Sequence, residues 1–280
     1  MDIPNTVFVA CIQLCSTTDI EQNWQKTEAM IRQAAQRGAQ LICTPENTLF
    51  LGPQFHKVGL AQSVDGEWGQ RFSALAKELS VHILVGSVAE KRVLPDGSVD
   101  DKKCYNTSLL FDDTGVLLAS YRKIHLFDVD VPGGLTIAES DTICAGDSII
   151  VVPTKLGCIG MSICYDLRFP EMYRKLVDAG AEIIAIPSAF TLTTGKDHWH
   201  TLLRARAIET ETWVIAPGQW GTHDTEGKRK SYGHSVIIDP WGVVISDAGE
   251  GERTVYAEID RGQISAVRQA IPVHKHRRLF

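Results

Sequence analysis

Cys164 stands where a nucleophile would be placed. It closes the apolar run Leu156 to Ile163, and a polar turn, a helical segment and a second apolar run, Glu182 to Pro187, come after it. Both runs are rich in Ile and suit buried parallel strands better than half-wet ones. Between them, Glu171 to Ala181 spaces Met172, Leu176, Val177 and Ala179 at helical intervals, and Gly180 supplies a stop. The unit reads strand, turn, helix, strand. Open parallel sheets carry their working residues at the carboxyl ends of strands, and a thiol there faces the positive end of the next helix, which favours thiolate. Such a nucleophile still needs a base for its proton, a donor for the oxyanion and an acid for the leaving group.

Two further polar residues share that address. Val7 to Leu14 reads as a strand, Asp19 to Arg37 as a helix stopped by Gly38, and Gln40 to Thr44 as a strand that Pro45-Glu46 ends at once. Glu67 to Leu79 is a second helix and His82 to Ala89 a strand. Leu94 to Lys103 is a polar turn around Asp96-Gly97, and Cys104 to Asp112 with Gly115 to Tyr121 forms the next strand pair, which leads directly to Lys123. Taken alone, Glu46 and Lys123 read as solvated loop charges. Leu135 to Asp147 is a loop long enough to suggest function, and it contains Glu139. Farther on, His198 to Thr212 is a helix on which Arg204 and Arg206 can pair with Glu209. Trp213 to Pro217, Ser235 to Asp239, Val243 to Ser246 and Thr254 to Ile259 complete the strands. The helix and strand order of residues 19 to 44 recurs in residues 198 to 217, which implies two similar β/α layers with their sheets face to face.

Composition narrows the partners. With 280 residues and 44% hydrophobic content the chain can bury a sizeable core, and no linker divides it, so a single domain over 1–280 is expected. A net charge of −6 offers no basic footprint for nucleic acid or an anionic membrane. The short basic runs Lys228 to Ser231 and His274 to Arg278 read as solvated loop and tail. No apolar stretch reaches membrane-spanning length and no signal peptide opens the chain, so a soluble, cytoplasmic protein is expected. Seven cysteines without a close pair imply reduced thiols, six of them small core residues and the seventh Cys164. The scattered histidines follow no cysteine-protease signature.

Three segments carry a resemblance. Pro45-Glu46, the stretch Tyr121 to Gly133 (YRKIHLFDVDVPG) and Cys164 to Glu171 (CYDLRFPE) are similar to the three motif regions of the nitrilase, or carbon–nitrogen hydrolase, superfamily, in the same order and over nearly the whole chain. The resemblance implies a four-layer αββα sandwich. It also implies a triad of Glu46, Lys123 and Cys164, a second glutamate at Glu139, and amide cleavage through a thioester with no metal or organic cofactor. Tyr165-Asp166 after the cysteine resembles the amidase branches and not the nitrile-cleaving ones. The stretches Gly195 to Thr210, Ser231 to Gly242 and the terminal HKHRR resemble the Nit-type branch, whose members hydrolyse deaminated glutathione to 2-oxoglutarate and cysteinylglycine, or 2-oxoglutaramate to 2-oxoglutarate and ammonia.

The same resemblance implies a small-molecule amide substrate, an anionic 2-oxo acid, with Tyr165, Arg168, Phe190 and Thr193 around it. It also implies a homodimer or higher homo-oligomer, and it leaves an N-carbamoyl amino acid hydrolase and a non-catalytic binding member as alternatives. The run Thr48 to Phe55 departs from the pattern of the eukaryotic glutathione-repair members, which implies an altered acyl or amine preference.

Overall fold

The computed structural model describes residues 5–130 and 136–279. Two mixed sheets face each other. The first runs Arg253–Asp260, Thr6–Gln13, Leu41–Cys43, His82–Val93, Val99–Phe111, Leu117–Arg122, with Ile143–Cys144 beside Val99–Phe111. The second runs Val244–Asp247, Val236–Ile238, Trp213–Ala216, Ile183–Ala185, Gly157–Met161, Ile150–Thr154. Parallel strands make the centre of each, Thr6–Gln13 with Leu41–Cys43 and His82–Val93 in one, Gly157–Met161 with Ile183–Ala185 and Trp213–Ala216 in the other. The recurrence read from the sequence is thus a repeat of sheet architecture.

Strand periodicity builds the layers. Along Thr6–Gln13, Val7, Val9 and Cys11 belong to the core that also contains the second sheet. Ala10 and Ile12 turn the other way, onto Trp24 and Ile31 of the Ile20–Gln36 helix and Phe72 of the Glu67–Leu79 helix. Helices Pro170–Asp178 and Leu192–Thr210 pack onto the second sheet through Tyr173, Leu176, Trp199 and Leu203. Each fully buried Leu, Ile or Phe contributes about 1.5–3 kcal/mol by leaving water, so burial holds the layers together. The architecture is the αββα sandwich.

Element ends differ from the sequence reading where polar residues are involved. The strand read as Cys104 to Asp112 begins at Val99, because a ribbon beyond the core is held by ladder bonds and by Arg92–Asp100 at 2.5 Å. The helix read from His198 begins at Leu192 with Thr191 as its cap. Gly195 interrupts its apolar pattern because Tyr232 fills the space, and a Cβ there would lie 2.3 Å from that side chain. In the described part of the expected Leu135 to Asp147 loop, Thr136–Ala138 pairs with Asp128–Asp130, Glu139–Asp141 makes a 3-10 turn, and Ile143–Cys144 joins the first sheet. Leu135, and Val131 to Gly133 of the lysine motif, lie outside the described residues.

Several segments carry no element in the sequence reading: Ile150–Thr154 edges the second sheet, Arg261–Ala270 is a helix, and Val273–His276 makes a short helix in the stretch read as a solvated tail. The Gln54–Leu60 helix lacks a core-facing apolar stripe, and Lys230–Tyr232, within the run read as solvated, pairs with Trp220–Thr222. All seven cysteines are free thiols, but Cys15, Cys144 and Cys158 are half-buried and not core. Among the described residues no helix is long and apolar enough to cross a membrane.

Candidate active site

Glu46, Lys123 and Cys164, far apart in sequence, come just after Leu41–Cys43, Leu117–Arg122 and Gly157–Met161, two strands of the first sheet and one of the second, and are buried together. Lys123 Nζ donates to Glu46 Oε1 at 3.0 Å and to Glu139 Oε1 and Oε2 at 3.1 and 2.8 Å. Cys164 lines the same cleft as Glu46, Lys123 and Glu139, and the Glu46 charge acts on its buried thiol. Asn106 Nδ2 donates to Glu46 Oε1 at 2.9 Å and to Glu139 Oε1 at 3.4 Å, and the Ala189 N–H donates to Glu46 Oε2 at 2.8 Å. The Phe127 N–H donates to Glu139 Oε2 at 2.7 Å. The hairpin that replaces the expected loop is what returns Glu139 to the lysine.

Electrostatics assign the protons. Burial alone would raise the Glu46 carboxyl, but the Lys123 and Lys57 cations more than offset it and hold it below the ordinary 4.5. Burial and the Glu46 charge push the Cys164 thiol well above the ordinary 9.0, against the pull of Lys123. Burial acts to lower Lys123, yet Glu139 and Glu46 overcome it and hold the ammonium well above 10.5. The resting site therefore holds a thiol, a carboxylate and an ammonium. This corrects the expectation that the turn favours thiolate: Cys164 heads a 3-10 turn, the helix proper starts only at Pro170, and burial outweighs its dipole.

A pH dependence follows. A base whose pKa is depressed stays ionised until the pH falls below its ordinary value, so the acid limb of kcat/KM should lie below pH 4.5. Glu46 contributes stability above that value, and the contribution is lost as the pH falls through its lowered pKa. Because Lys57 is one of the two cations holding Glu46 down, Lys57→Met should move the acid limb upward. A pH–rate profile in which wild type and variant share one midpoint would refute the assignment.

The nucleophile's turn is over-determined. Cys164 has φ +50°, a left-handed conformation that costs a non-glycine residue about 1–3 kcal/mol and needs support. Asp166 supplies it, fully buried, accepting from the Ile163 N–H at 2.8 Å, the Tyr121 hydroxyl at 2.6 Å and the His125 N–H at 3.0 Å. Tyr121 and His125 flank Lys123, so this one carboxylate ties the cysteine's turn to the lysine's strand. Arg206, on the Leu192–Thr210 helix, donates twice to Leu167 O, at 3.0 and 2.8 Å. Asp166→Ala should cost about 3–5 kcal/mol in urea unfolding, since two buried donors and the part-buried His125 N–H lose their acceptor, and should depress kcat as the turn loosens. Wild-type stability in that variant would exclude the role.

The other expected residues fall near the thiol, with one adjustment. Tyr165, Arg168 and Phe190 line a pocket with Cys164. The Arg168 guanidinium lies 5.2 Å from the Phe190 ring centroid and 3.3 Å from His198 Nδ1. Thr193 is exposed in the first helical turn, and its neighbours Thr191 and Thr194 line the pocket. Sequence reasoning missed Asn106, a mid-strand polar residue, and Lys57, buried with its Nζ on Asn47 Oδ1 at 2.8 Å. It also missed Arg229, Lys230 and Ser231, which form an edge of the cleft. A lysine inside an otherwise unpatterned stretch carries no local sign of burial.

A thiol, a carboxylate and an ammonium buried together at the strand ends of a four-layer sandwich define a class of hydrolase acting on carbon–nitrogen bonds. The chain belongs to the carbon–nitrogen hydrolase family, whose model matches residues 8–269. It is 42% identical over 272 residues to a deaminated glutathione amidase of Synechocystis, across 96% of this chain and 97% of that protein. Against human omega-amidase NIT2 it is 37% identical over 272 residues, across 96% and 94%. The crystal structure of Caenorhabditis elegans NitFhit superposes with a TM-score of 0.88 at 38% identity over 98% of this chain, which spans 65% of that longer protein.

Proposed function

We propose that the protein is an amidase for small 2-oxo acid amides, with deaminated glutathione as its substrate and the chain acting as a single catalytic domain. The observation that carries the chemistry is the buried Cys164 thiol sharing one cleft with a carboxylate clamped by Lys123. Glu46 takes the thiol proton as the sulfur attacks the amide carbonyl, and the oxyanion is met by the Lys123 ammonium and the Tyr165 N–H. When the C–N bond breaks, Glu46 returns that proton to the departing nitrogen and the amine leaves. Water then gives a proton to Glu46 and attacks the thioester, and the tetrahedral intermediate collapses to the carboxylic acid and the thiol, which recovers the proton. Glu139 holds Lys123 throughout. Arg168 faces the carboxylate of the acyl group, stacked with Phe190.

The substrate reading is supported by relatives named deaminated glutathione amidase across nearly the full chain, and omega-amidase activity is the second reading, supported by the NIT2 relatives. The test is 2-oxoglutarate release by purified protein from deaminated glutathione and from 2-oxoglutaramate in parallel. A preference of ~100-fold in kcat/KM for the first, about 2.7 kcal/mol, is expected. The reverse preference makes the enzyme an omega-amidase, and inactivity on both rejects the substrate class.

The protein is read as cytoplasmic, in keeping with its seven free thiols, and as a homodimer. Ile208, Trp241 and Val243, 49%, 54% and 49% exposed around Gly242, supply an apolar face for the second copy. Light scattering should give a dimer that Trp241→Glu dissociates; a wild-type monomer excludes it.

A further inference from the structure

Cys164 sits where two lobes of the cleft meet. The smaller, about 220 Å³, is lined by Cys164, Tyr165, Arg168, Phe190 and Thr194. The larger, about 580 Å³, holds Glu46, Lys123, Glu139, Lys57 and Arg229 beside the same cysteine. Proton traffic decides which product each lobe receives. The departing nitrogen must be within reach of Glu46, which lines the larger lobe and not the smaller, so the amine leaves into the larger lobe. The acyl chain then lies toward Arg168.

The larger lobe is more cationic than the reaction requires. Lys123 is matched by Glu46 and Glu139. Arg229 is more than half buried and makes no ion pair among the described residues. Its neighbouring acid, Asp224, is already committed, with Oδ1 accepting from the Lys228 N–H at 3.0 Å and Oδ2 from the Arg229 N–H at 2.7 Å. Taking a guanidinium partly out of water without a partner is unfavourable, and an anionic ligand would offset the cost. A second unmatched group lines the same lobe: Gln54 Oε1 is buried with no hydrogen-bond partner among the described residues. Beyond Arg229 an outer groove continues past Thr18, Gly52, Pro53 and Thr222, leaving room for a leaving group larger than ammonia.

We propose that the Arg229 edge is a leaving-group subsite for an amine that ends in a carboxylate, a short peptide, with Arg229 taking the carboxylate and Gln54 Oε1 accepting an N–H. The assignment rests on the amidase reading of the cleft. It adds a specificity element on the amine side, in the part of the site that must distinguish a peptide from ammonia.

The test compares two amides sharing one 2-oxo acyl group, one ending in a free glycine carboxylate and one in the glycine carboxamide. Wild type should favour the carboxylate by ~10-fold in kcat/KM, mainly through KM, and Arg229→Met should bring that ratio to about one. Arg229→Lys should keep part of the preference, which a folding defect would not. A wild-type ratio near one, or the same ratio in wild type and Arg229→Met, overturns the subsite. Calorimetry of cysteinylglycine with Cys164→Ala protein reads the subsite without turnover: binding should weaken ~10-fold when Arg229→Met is added. No binding, or equal binding, also overturns it. If neither amide is cleaved while the dipeptide still binds in an Arg229-dependent way, the substrate reading fails and the subsite stands.

Discussion

Cys164→Ala is expected to bring amide turnover to background, a loss on the order of 10⁶-fold in kcat, with the fold retained. The chemical half of this expectation follows from the roles of the other groups: Glu46 moves protons, Lys123 and Glu139 position and stabilise, and none replaces a sulfur that forms the acyl bond. The structural half follows from the backbone. The φ of +50° at this position is as strained for alanine as for cysteine, so the substitution adds no conformational cost, and removing one buried sulfur should change stability by about 1 kcal/mol or less. Mass spectrometry offers a direct check, since wild type should trap a thioester adduct at Cys164 and the variant none. Turnover in the variant near the wild-type rate would end the covalent mechanism.

Lys123→Met should damage both activity and stability, and the second effect is the more diagnostic. Losing the oxyanion donor alone costs about 10²–10³ in kcat. The lysine also neutralises two buried carboxylates, at 3.0 Å and 2.8 Å, and breaking such a cluster by removing one charge destabilises by about 3–5 kcal/mol. Adding Glu139→Gln should recover part of the lost stability, because one stranded charge disappears, and should recover no activity. Urea unfolding of the two variants decides the matter: if the double variant is no more stable than the single, Lys123 and Glu139 do not act as a charge pair.

Much of this architecture is written in local pattern. Asp19 and Gly38 bracket the first long helix because a carboxylate can accept from the Gln22 N–H at 3.0 Å and a glycine tolerates φ +91°. Ile-rich runs are strands for want of any polar face, and the residues that end them, Glu46, Lys123 and Cys164, could be recognised as a set by their shared address and by the motifs around them. The sandwich follows from such runs, since two sheets each with one face to hide cover one another.

What only the tertiary structure decided is the company those three residues keep. Thr193 and Thr194 are indistinguishable in sequence, and only the helix beginning at Leu192 turns one to solvent and the other to the cleft. The cysteine's protonation state does not follow from the turn, because a helix dipole is a local property, whereas burial depends on every layer above it. Lys57, Asn106, Gln54 and Arg229 come from a short helix, a strand interior and a polar hairpin, where no hydrophobic period marks position. Local spacing specifies which face of an element is apolar, but the environment of a charge is set by distant segments folding against it, and in this protein that environment determines the chemistry.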